Sequence, residues 1–396
     1  MSARQALAYS FSLRTKSNGG VVPVLGVRRA ACVAAFAITT GIGLAQTLRP
    51  AHPPDAVRGR VVYEGGCIAC HGEKGTGAPE ASTRFRRPDT FPNFTRCDQT
   101  TPEPNSGWKA VIVHGGPNRG FSTIMPSFGS LLSDKQVDDV IAYLRGFCRE
   151  KGWPRGELNL PRALVTEKAF PEKEFVISTA VNATGNPGAS TDFIHEQSFG
   201  KRGQLEVDVP WDLEKIDQGW NSHVGDITFG WKQVIFSSLK TGSIFSLQAG
   251  VLPPTGSQKL GGAGTTVFEP FAAFDQLFRT NTWVQFQMGA DLPHDTEISP
   301  QSLYWNTAIG QSIAGDHGLG RLWSPMVEFL AARDLEDGAK TDWDILPEMQ
   351  VTLSRRQHVR ANFGVRTPLT NTEGRSTQVY FYLLWDWADG KLWSGW

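Results

Sequence analysis

Two cysteines and a histidine stand close together in the run Cys67-Ile68-Ala69-Cys70-His71. This C-x-x-C-H spacing attaches a c-type haem covalently, because the two thiols add to the two haem vinyl groups and the next residue reaches the iron. His71 is then an axial ligand of the iron. The alternatives are a chance match and a redox or zinc C-x-x-C, but the chain has no second C-x-x-C. We therefore expect one covalent haem c on Cys67 and Cys70.

Residues on both sides of this motif extend the pattern over about residues 54–148. Gly59-x-x-x-Tyr63 precedes the motif, and Gly77-Ala78-Pro79 follows it. In this range the sequence resembles class I cytochromes c, whose first helix crosses the last helix at the glycine. The resemblance implies a small all-α domain in which a carbonyl near Pro79 accepts the second ring proton of the ligand histidine. The inserted Ala78 departs from the family's common Gly-Pro pattern.

The sixth iron ligand is expected to be Met125, which is followed by Pro126 as in class I cytochromes c. A thioether favours ferrous iron, so His/Met ligation predicts a comparatively high potential and an electron carrier. The rival ligand is His114. Trp108 and Arg119 are candidates to contact the haem or its propionates, and the alternatives for them are core packing and a solvated charge.

The last helix of this domain has a clear sequence signature. Ser133 and Gln136 have the form of a capping box. Apolar residues then recur at helical spacing, at Val137, Val140, Ile141 and Leu144. The pattern predicts an amphipathic helix from Asp134 to about Phe147, packed on the helix that carries Gly59 and Tyr63.

Two further cysteines, Cys97 and Cys148, remain in this part of the chain. In an oxidising compartment a bridge between them would tie the loop that passes the haem to the end of the last helix. Loop closure of that length contributes roughly 4 kcal/mol. The alternative is two free thiols.

The start of the chain has the composition of an export signal. Residues 1–46 carry five basic residues and no acidic one, and Ala30–Leu44 is uncharged but short for a membrane-spanning helix. Small residues at Gly43 and Ala45 predict cleavage that removes residues 1–45; the alternative is an uncleaved inner-membrane anchor. Beyond the leader the chain carries 34 basic and 39 acidic residues, a net charge of −5 that argues against a nucleic-acid partner.

The pattern changes twice after the helical domain. Residues 149–172 contain three prolines and mixed charge, and they predict an extended linker along the cytochrome surface. From about residue 173 apolar residues alternate with polar ones in about twelve segments. These segments lie near 173–182, 191–200, 205–211, 227–231, 243–252, 267–275, 282–292, 302–313, 324–333, 345–354, 358–367 and 376–387.

The alternating segments have about the ten-residue length of an outer-membrane strand. Residues after 172 also contain 11 of the 13 tryptophans, as expected for aromatic girdles at the two membrane interfaces. Residues 173–396 therefore predict an antiparallel transmembrane β-barrel of about twelve strands. Outward residues would include Phe175, Val207, Phe229 and Phe381, and inward residues Gln285, Gln287, Glu348 and Gln350. The alternative is a soluble β-sandwich.

The whole chain resembles bacterial fusions of a monohaem cytochrome c to an outer-membrane porin, among them iron-oxidising cytochromes. The resemblance implies an electron carrier, not an enzyme, at the periplasmic face of the outer membrane. Its partners would be a periplasmic redox protein and outer-membrane lipid. Oxidation of an external donor such as ferrous iron is only weakly suggested, because a haem domain of about a hundred residues is too large to sit inside a twelve-stranded lumen, where the smaller haem segments of the iron-oxidising fusions lie. The alternatives are a channel with a redox-sensing cytochrome domain and a periplasmic enzyme with a β-sandwich.

Overall fold

The computed structural model describes residues 53–83, 85–216, 219–257, 262–278, 281–314 and 322–396. The expected export signal, residues 1–45, lies outside these ranges. A helical domain comes first along the chain and a β-barrel follows it. Within the described ranges no helix combines the length and the apolar character needed to cross a membrane.

The helical domain is built from five α-helices and short helical turns. The α-helices are α1 Ala56–Val62, α2 Ile68–His71, α3 Cys97–Thr100, α4 Asn105–His114 and α5 Asp134–Arg145. A π-helical turn, Tyr63–Cys67, joins α1 to α2. Single 3₁₀ turns occur at Glu80–Ser82, Gly116–Arg119 and Gly156–Leu158.

Helices α1 and α5 cross at Gly59, as the sequence predicted. A Cβ atom at this position would overlap the carbonyl of Asp139, so only glycine allows the two backbones to approach this closely. The buried Asp139 carboxylate accepts hydrogen bonds from Arg58 Nε at 2.7 Å and from the Asp55 backbone at 2.6 Å. The Arg58 guanidinium holds the pKa of the Asp139 carboxyl below its usual range. The crossing of α1 and α5 is therefore stabilised both by close backbone packing at Gly59 and by the ion pair between Arg58 and Asp139.

The capping box at the start of α5 is present, with Gln136 N donating to Ser133 Oγ and Ser133 N donating to Gln136 Oε1. The predicted apolar stripe is buried and packs around Tyr63. The helix ends at Arg145, slightly before the expected end near Phe147.

Cys97 and Cys148 form a disulfide with a Cα–Cα distance of 5.2 Å. The bridge joins the start of α3 to the segment that follows α5. It confirms the predicted bridge, and it leaves Cys67 and Cys70 as free thiols.

The second domain is one antiparallel sheet. Its strands are β1 Glu174–Asn182, β2 Gly188–Phe199, β3 Gly203–Ile216, β4 Gly219–Val224, β5 Thr228–Ser238, β6 Ser243–Leu252, β7 Val267–Leu277, β8 Thr282–Pro293, β9 Ser302–Gln311, β10 Ile313–Ala314, β11 Leu322–Asp334, β12 Asp342–Thr352, β13 Val359–Pro368 and β14 Gln378–Asp386.

The sheet closes on itself because β14 pairs with β1 and β9 pairs with β11. In the described part of the chain, twelve strands form the closed barrel, while β4 extends β3 as a hairpin and β10 adds a short pairing beside β11. Each of the twelve alternating sequence segments corresponds to one barrel strand, so the predicted strand number is confirmed.

Side chains alternate between the two faces of the barrel wall, and the outer face is the apolar one. Phe229 and Phe381 are exposed on the outside, whereas Thr228, next to Phe229, is buried inside. The predicted lumen residues Gln285, Gln287, Glu348 and Gln350 are all buried within the barrel. This distribution is the reverse of a soluble sandwich, whose apolar side chains pack between two sheets.

Residues 158–172, here called the plug, run through the barrel interior. Their apolar side chains pack against inward-facing residues of the wall, for example Phe170 against Val234 and Ala163 against Trp283. Their backbone and polar groups bond to lumen side chains, as at Arg162 N to Gln350 Oε1, 3.1 Å. The plug therefore does not run along the cytochrome surface, as the sequence suggested, because the polar lumen supplies partners that the cytochrome domain does not.

The depth of an outward side chain provides a test of the barrel in lipid. Leu247, in the middle of β6, is 49% exposed, and Val251, near the end of the same strand and on the same face, is 37% exposed. Leu247→Arg should cost about 2–4 kcal/mol of unfolding free energy in lipid vesicles, and Val251→Arg about 0–1 kcal/mol. Guanidinium titration of the refolded protein measures both. Equal costs at the two depths would contradict a membrane-embedded β6.

Candidate haem site

Cys67 and Cys70 lie at the junction of the π-helical turn and α2. Their spacing of three residues puts both thiols on one face of the helical turn. Neither forms a disulfide. Burial raises the pKa of the Cys67 thiol to about 11, so this thiol is protonated at neutral pH.

His71 ends α2, and its ring lies between two phenylalanines. The ring centroid is 5.0 Å from that of Phe91, in a stacked arrangement, and 5.1 Å from that of Phe94. Burial lowers the pKa of His71 to about 4, so the imidazole is neutral at neutral pH and has a lone pair for a metal. Among the described residues, the buried Nδ1 atom of His71 has no hydrogen-bond partner.

The segment that begins at Gly77 holds this motif through its backbone. Gly77 N donates to the His71 carbonyl at 2.8 Å, and Ala78 N donates to the Cys70 carbonyl at 2.9 Å. The Pro79 carbonyl accepts instead from the backbone and hydroxyl of Ser82, at 2.9 and 2.7 Å. The expected bond from the His71 ring to the Pro79 carbonyl is thus not formed, because that carbonyl is engaged by the turn that follows it.

Met125 closes a compact loop that starts at Gly115. Gly116 N donates to the Met125 carbonyl at 2.9 Å, and a Cβ at Gly116 would overlap the Ser122 carbonyl. The Met125 side chain packs against the apolar cluster around Tyr63, which Cys67 also contacts. His114, in contrast, ends α4 with an exposed side chain. The structure therefore places the Met125 side chain, and not that of His114, with the cluster that borders Cys67.

Trp108 and Arg119 occupy different positions around the site. Trp108 packs on Phe94, with ring centroids 5.6 Å apart, and Phe94 in turn contacts His71. Arg119 lies half-buried in the 3₁₀ turn of the Met125 loop. Both remain candidates for haem contact.

Two arginines near the site were not foreseen from the sequence. The Arg87 guanidinium lies 5.5 Å from the centre of Phe91, and a Cβ at Gly77 would lie 2.7 Å from Arg87 Cζ. The Arg145 guanidinium lies 3.9 Å from the centre of Trp108, and burial lowers its pKa to about 10. No sequence motif marks either residue: Arg87 meets Phe91 in a segment without regular secondary structure, and Arg145 of α5 meets Trp108 of α4.

Residues 56–147 match the family model for cytochrome c. The helical domain is a cytochrome c domain. Its fusion to a closed twelve-stranded barrel confirms the two-domain architecture that the sequence predicted. The match covers the helical domain and does not extend into the barrel.

None of the curated proteins matches this chain in sequence. Among solved structures, an outer membrane channel from Pseudomonas putida F1 shares 13% identity with a TM-score of 0.39, over 55% of this chain and 97% of that one. The KdgM porin shares 10% identity with a TM-score of 0.35, over 54% and 98%. LpxR from Salmonella typhimurium shares 10% identity with a TM-score of 0.36, over 54% and 99%. Because these TM-scores are low, the barrel fold is established by the strand pairing within this chain and not by the likeness to these structures.

The donor set of the cytochrome c domain fits a haem. Within the described part of the chain, Cys67 and Cys70 are unpaired thiols on one helical face, and the adjacent His71 is neutral and has a buried nitrogen without a hydrogen-bond partner. Met125 supplies a thioether on the same apolar cluster.

Replacing both Cys67 and Cys70 by alanine should abolish haem staining on a denaturing gel. Thioether bonds survive denaturation, whereas axial ligation does not. The matched control replaces the disulfide pair, Cys97 and Cys148, by alanine; this variant should keep the stain. A stain that persists in the Cys67/Cys70 variant would disprove covalent attachment through these thiols.

Proposed function

We propose that this protein carries electrons through a single haem c at the periplasmic face of the outer membrane, with the barrel as its anchor. The observation that carries this proposal is the donor set: two thiols outside any disulfide, a neutral, half-buried histidine and a thioether around one apolar cluster. Cys67 and Cys70 would hold the haem covalently, and His71 and Met125 would ligate its iron.

The surrounding residues suit electron transfer and not oxygen chemistry. The haem, when bound, supplies a one-electron couple. His71 and Met125 would together hold the iron and leave no place for oxygen, and the Met125 thioether would favour the ferrous form. Phe91 and Phe94 pack against His71, with ring centroids 5.0 and 5.1 Å from that of the imidazole. Apolar packing of this kind around a redox centre keeps the reorganisation that accompanies electron transfer small.

The connections between strands support the periplasmic placement. The turns 200–202, 239–242 and 353–358 lie at one end of the barrel, and the longer loops 294–301, 335–341 and 369–377 lie at the other. Outer-membrane barrels keep short turns on the periplasmic side and long loops outside. The cytochrome c domain and its link contact the short-turn end, where Arg202 Nε donates to the Gly152 carbonyl at 2.8 Å.

The partner we propose is a periplasmic redox protein that docks near the Met125 loop. Leu131 is 73% exposed and Ile124 is 38% exposed, and both flank Met125 in the chain. Exposed apolar residues at such a position suit a weak, transient encounter between redox proteins. The outward apolar face of the barrel has lipid as its partner.

The sulfur-to-iron absorption band of the oxidised protein tests the ligation. Met125→Ala should remove this weak band at the red end of the visible spectrum and lower the reduction potential, because the soft ligand that favours ferrous iron is lost. The matched control is His114→Ala, which should change neither measurement. Loss of the band in the His114 variant alone would reverse the assignment.

The second candidate function, a solute channel, is opposed by the plug. The Arg162 guanidinium is buried and pairs with Glu174 at 2.7 Å and with Glu196 at 2.8 Å. The plug backbone bonds to lumen side chains on other strands, with Ala169 N to Asp275 Oδ2 at 2.8 Å and Glu172 N to Gln204 Oε1 at 2.6 Å. A segment held on several sides of the wall fills the space that a solute would need.

Conductance in planar bilayers separates an anchor from a channel. The wild-type protein should show almost no stepwise conductance, because the plug occupies the lumen. Arg162→Ala should raise the conductance, since it removes the ion pairs from the plug to Glu174 and Glu196 of the wall and so loosens the plug.

The matched control for the conductance measurement is Arg155→Ala. Arg155 lies ahead of the plug and bonds to Glu157 at 2.9 Å and to Asn105 at 3.1 Å. This variant should stay closed. Steady open-channel conductance in the wild-type protein would contradict the anchor and favour the channel.

A further inference from the structure

A barrel residue, Arg356, reaches the loop that carries Met125. Arg356 lies in the turn between β12 and β13, and its Nη2 donates to the Gly120 carbonyl at 2.7 Å. Its guanidinium carbon lies 4.8 Å from the ring centre of Phe121. One side chain of the barrel thus engages two consecutive residues of the cytochrome c domain, by a hydrogen bond and by a cation–π contact.

The C-terminal tail holds Arg356 in this position. Arg356 Nη1 donates to Ser394 Oγ at 3.2 Å, and the Arg356 backbone N–H donates to the Gly395 carbonyl at 3.2 Å. Gly120 itself packs tightly on this tail, since a Cβ at Gly120 would lie 2.5 Å from Gly395 Cα. The orientation of the Arg356 side chain is therefore fixed by the C-terminal tail and does not depend on its contact with the Met125 loop alone.

The residues that Arg356 holds belong to the same hydrogen-bonded loop as Met125. Phe121 N donates to the Gly116 carbonyl at 2.9 Å, and Gly116 N donates to the Met125 carbonyl at 2.9 Å. Gly120 has a φ of +67°, the left-handed conformation that ends the preceding turn. Restraint at Gly120 and Phe121 is therefore passed to Met125 through two backbone bonds at Gly116.

We propose that Arg356 is a positioning residue for Met125, so that the barrel keeps the sixth ligand on the haem iron. The proposal rests on the proposed function, in which Met125 ligates the iron. A flexible loop loses conformational entropy when its methionine ligates the iron. A loop that is already fixed at Gly120 and Phe121 loses less entropy on ligation, so the bond between Met125 and the iron is favoured. Arginine suits this positioning role because its planar guanidinium donates hydrogen bonds to Gly120 and Ser394 simultaneously while its face lies over the Phe121 ring.

Competition with imidazole tests the proposal on the full-length, haem-loaded protein. Imidazole takes the sixth position whenever Met125 leaves it, and the sulfur-to-iron band then disappears. Arg356→Ala should bind imidazole about tenfold more tightly than the wild-type protein, the effect expected from loss of one charge-assisted hydrogen bond. Its reduction potential should fall, and Arg356→Lys, which keeps a cationic donor, should recover part of the wild-type affinity.

The matched control is Arg202→Ala. Arg202 also joins a barrel turn to a backbone carbonyl on the cytochrome side, at Gly152, but it does not touch the Met125 loop. This variant should bind imidazole as the wild-type protein does. Haem staining and the mobility shift of unheated samples on gels confirm that every variant is loaded and folded.

The possible outcomes separate two failures. A wild-type protein without the sulfur-to-iron band would overturn Met125 ligation, and the role of Arg356 would be rejected with it. A band in the wild-type protein, with equal imidazole affinity in Arg356→Ala and Arg202→Ala, would overturn the role of Arg356 alone.

Discussion

The pairing of Arg162 with Glu174 and Glu196 inside the barrel is the interaction on which the rest of the structure depends. A charge buried in a protein must be paired, and removal of one partner from such a pair costs about 3–5 kcal/mol. The barrel wall contributes the carboxylates and the plug contributes the guanidinium. These ion pairs, which Glu167 of the plug joins at 3.3 Å from Arg162, hold the chain between the two domains inside the lumen.

This arrangement determines where the cytochrome c domain can lie. The chain leaves α5, passes the disulfide at Cys148 and enters the lumen at the plug, which leads directly into β1. Few residues remain between the last helix and the barrel mouth. The domain is therefore held against the short-turn end, where Arg356 contacts the domain at Gly120 and Arg202 contacts the link at Gly152. In the proposed function, a domain fixed in this way would present its haem side at a constant place relative to the membrane.

Much of the fold was accessible from the sequence, because the relevant signals are local. The spacing of Gly59 and Tyr63 predicted the helix crossing, and the period of two predicted the number of barrel strands. The candidate haem donors Cys67, Cys70 and His71 were also accessible, since they lie within five consecutive residues of the chain. The plug was not accessible: three prolines and mixed charge in residues 149–172 describe an extended chain without saying what surrounds it.

The sequence by itself determined the two domains, the thiol and imidazole donors and the alternation of the barrel wall, because each follows from residues a few positions apart. Only the tertiary structure decided which side chains meet across long separations. Arg356 and Gly120 are 236 residues apart, and Arg162 and Gln350 are 188 apart. Such contacts leave no periodic mark, because hydrogen-bond partners are selected by the position of the backbone in space. The exposure of His114 also became visible only in the folded chain.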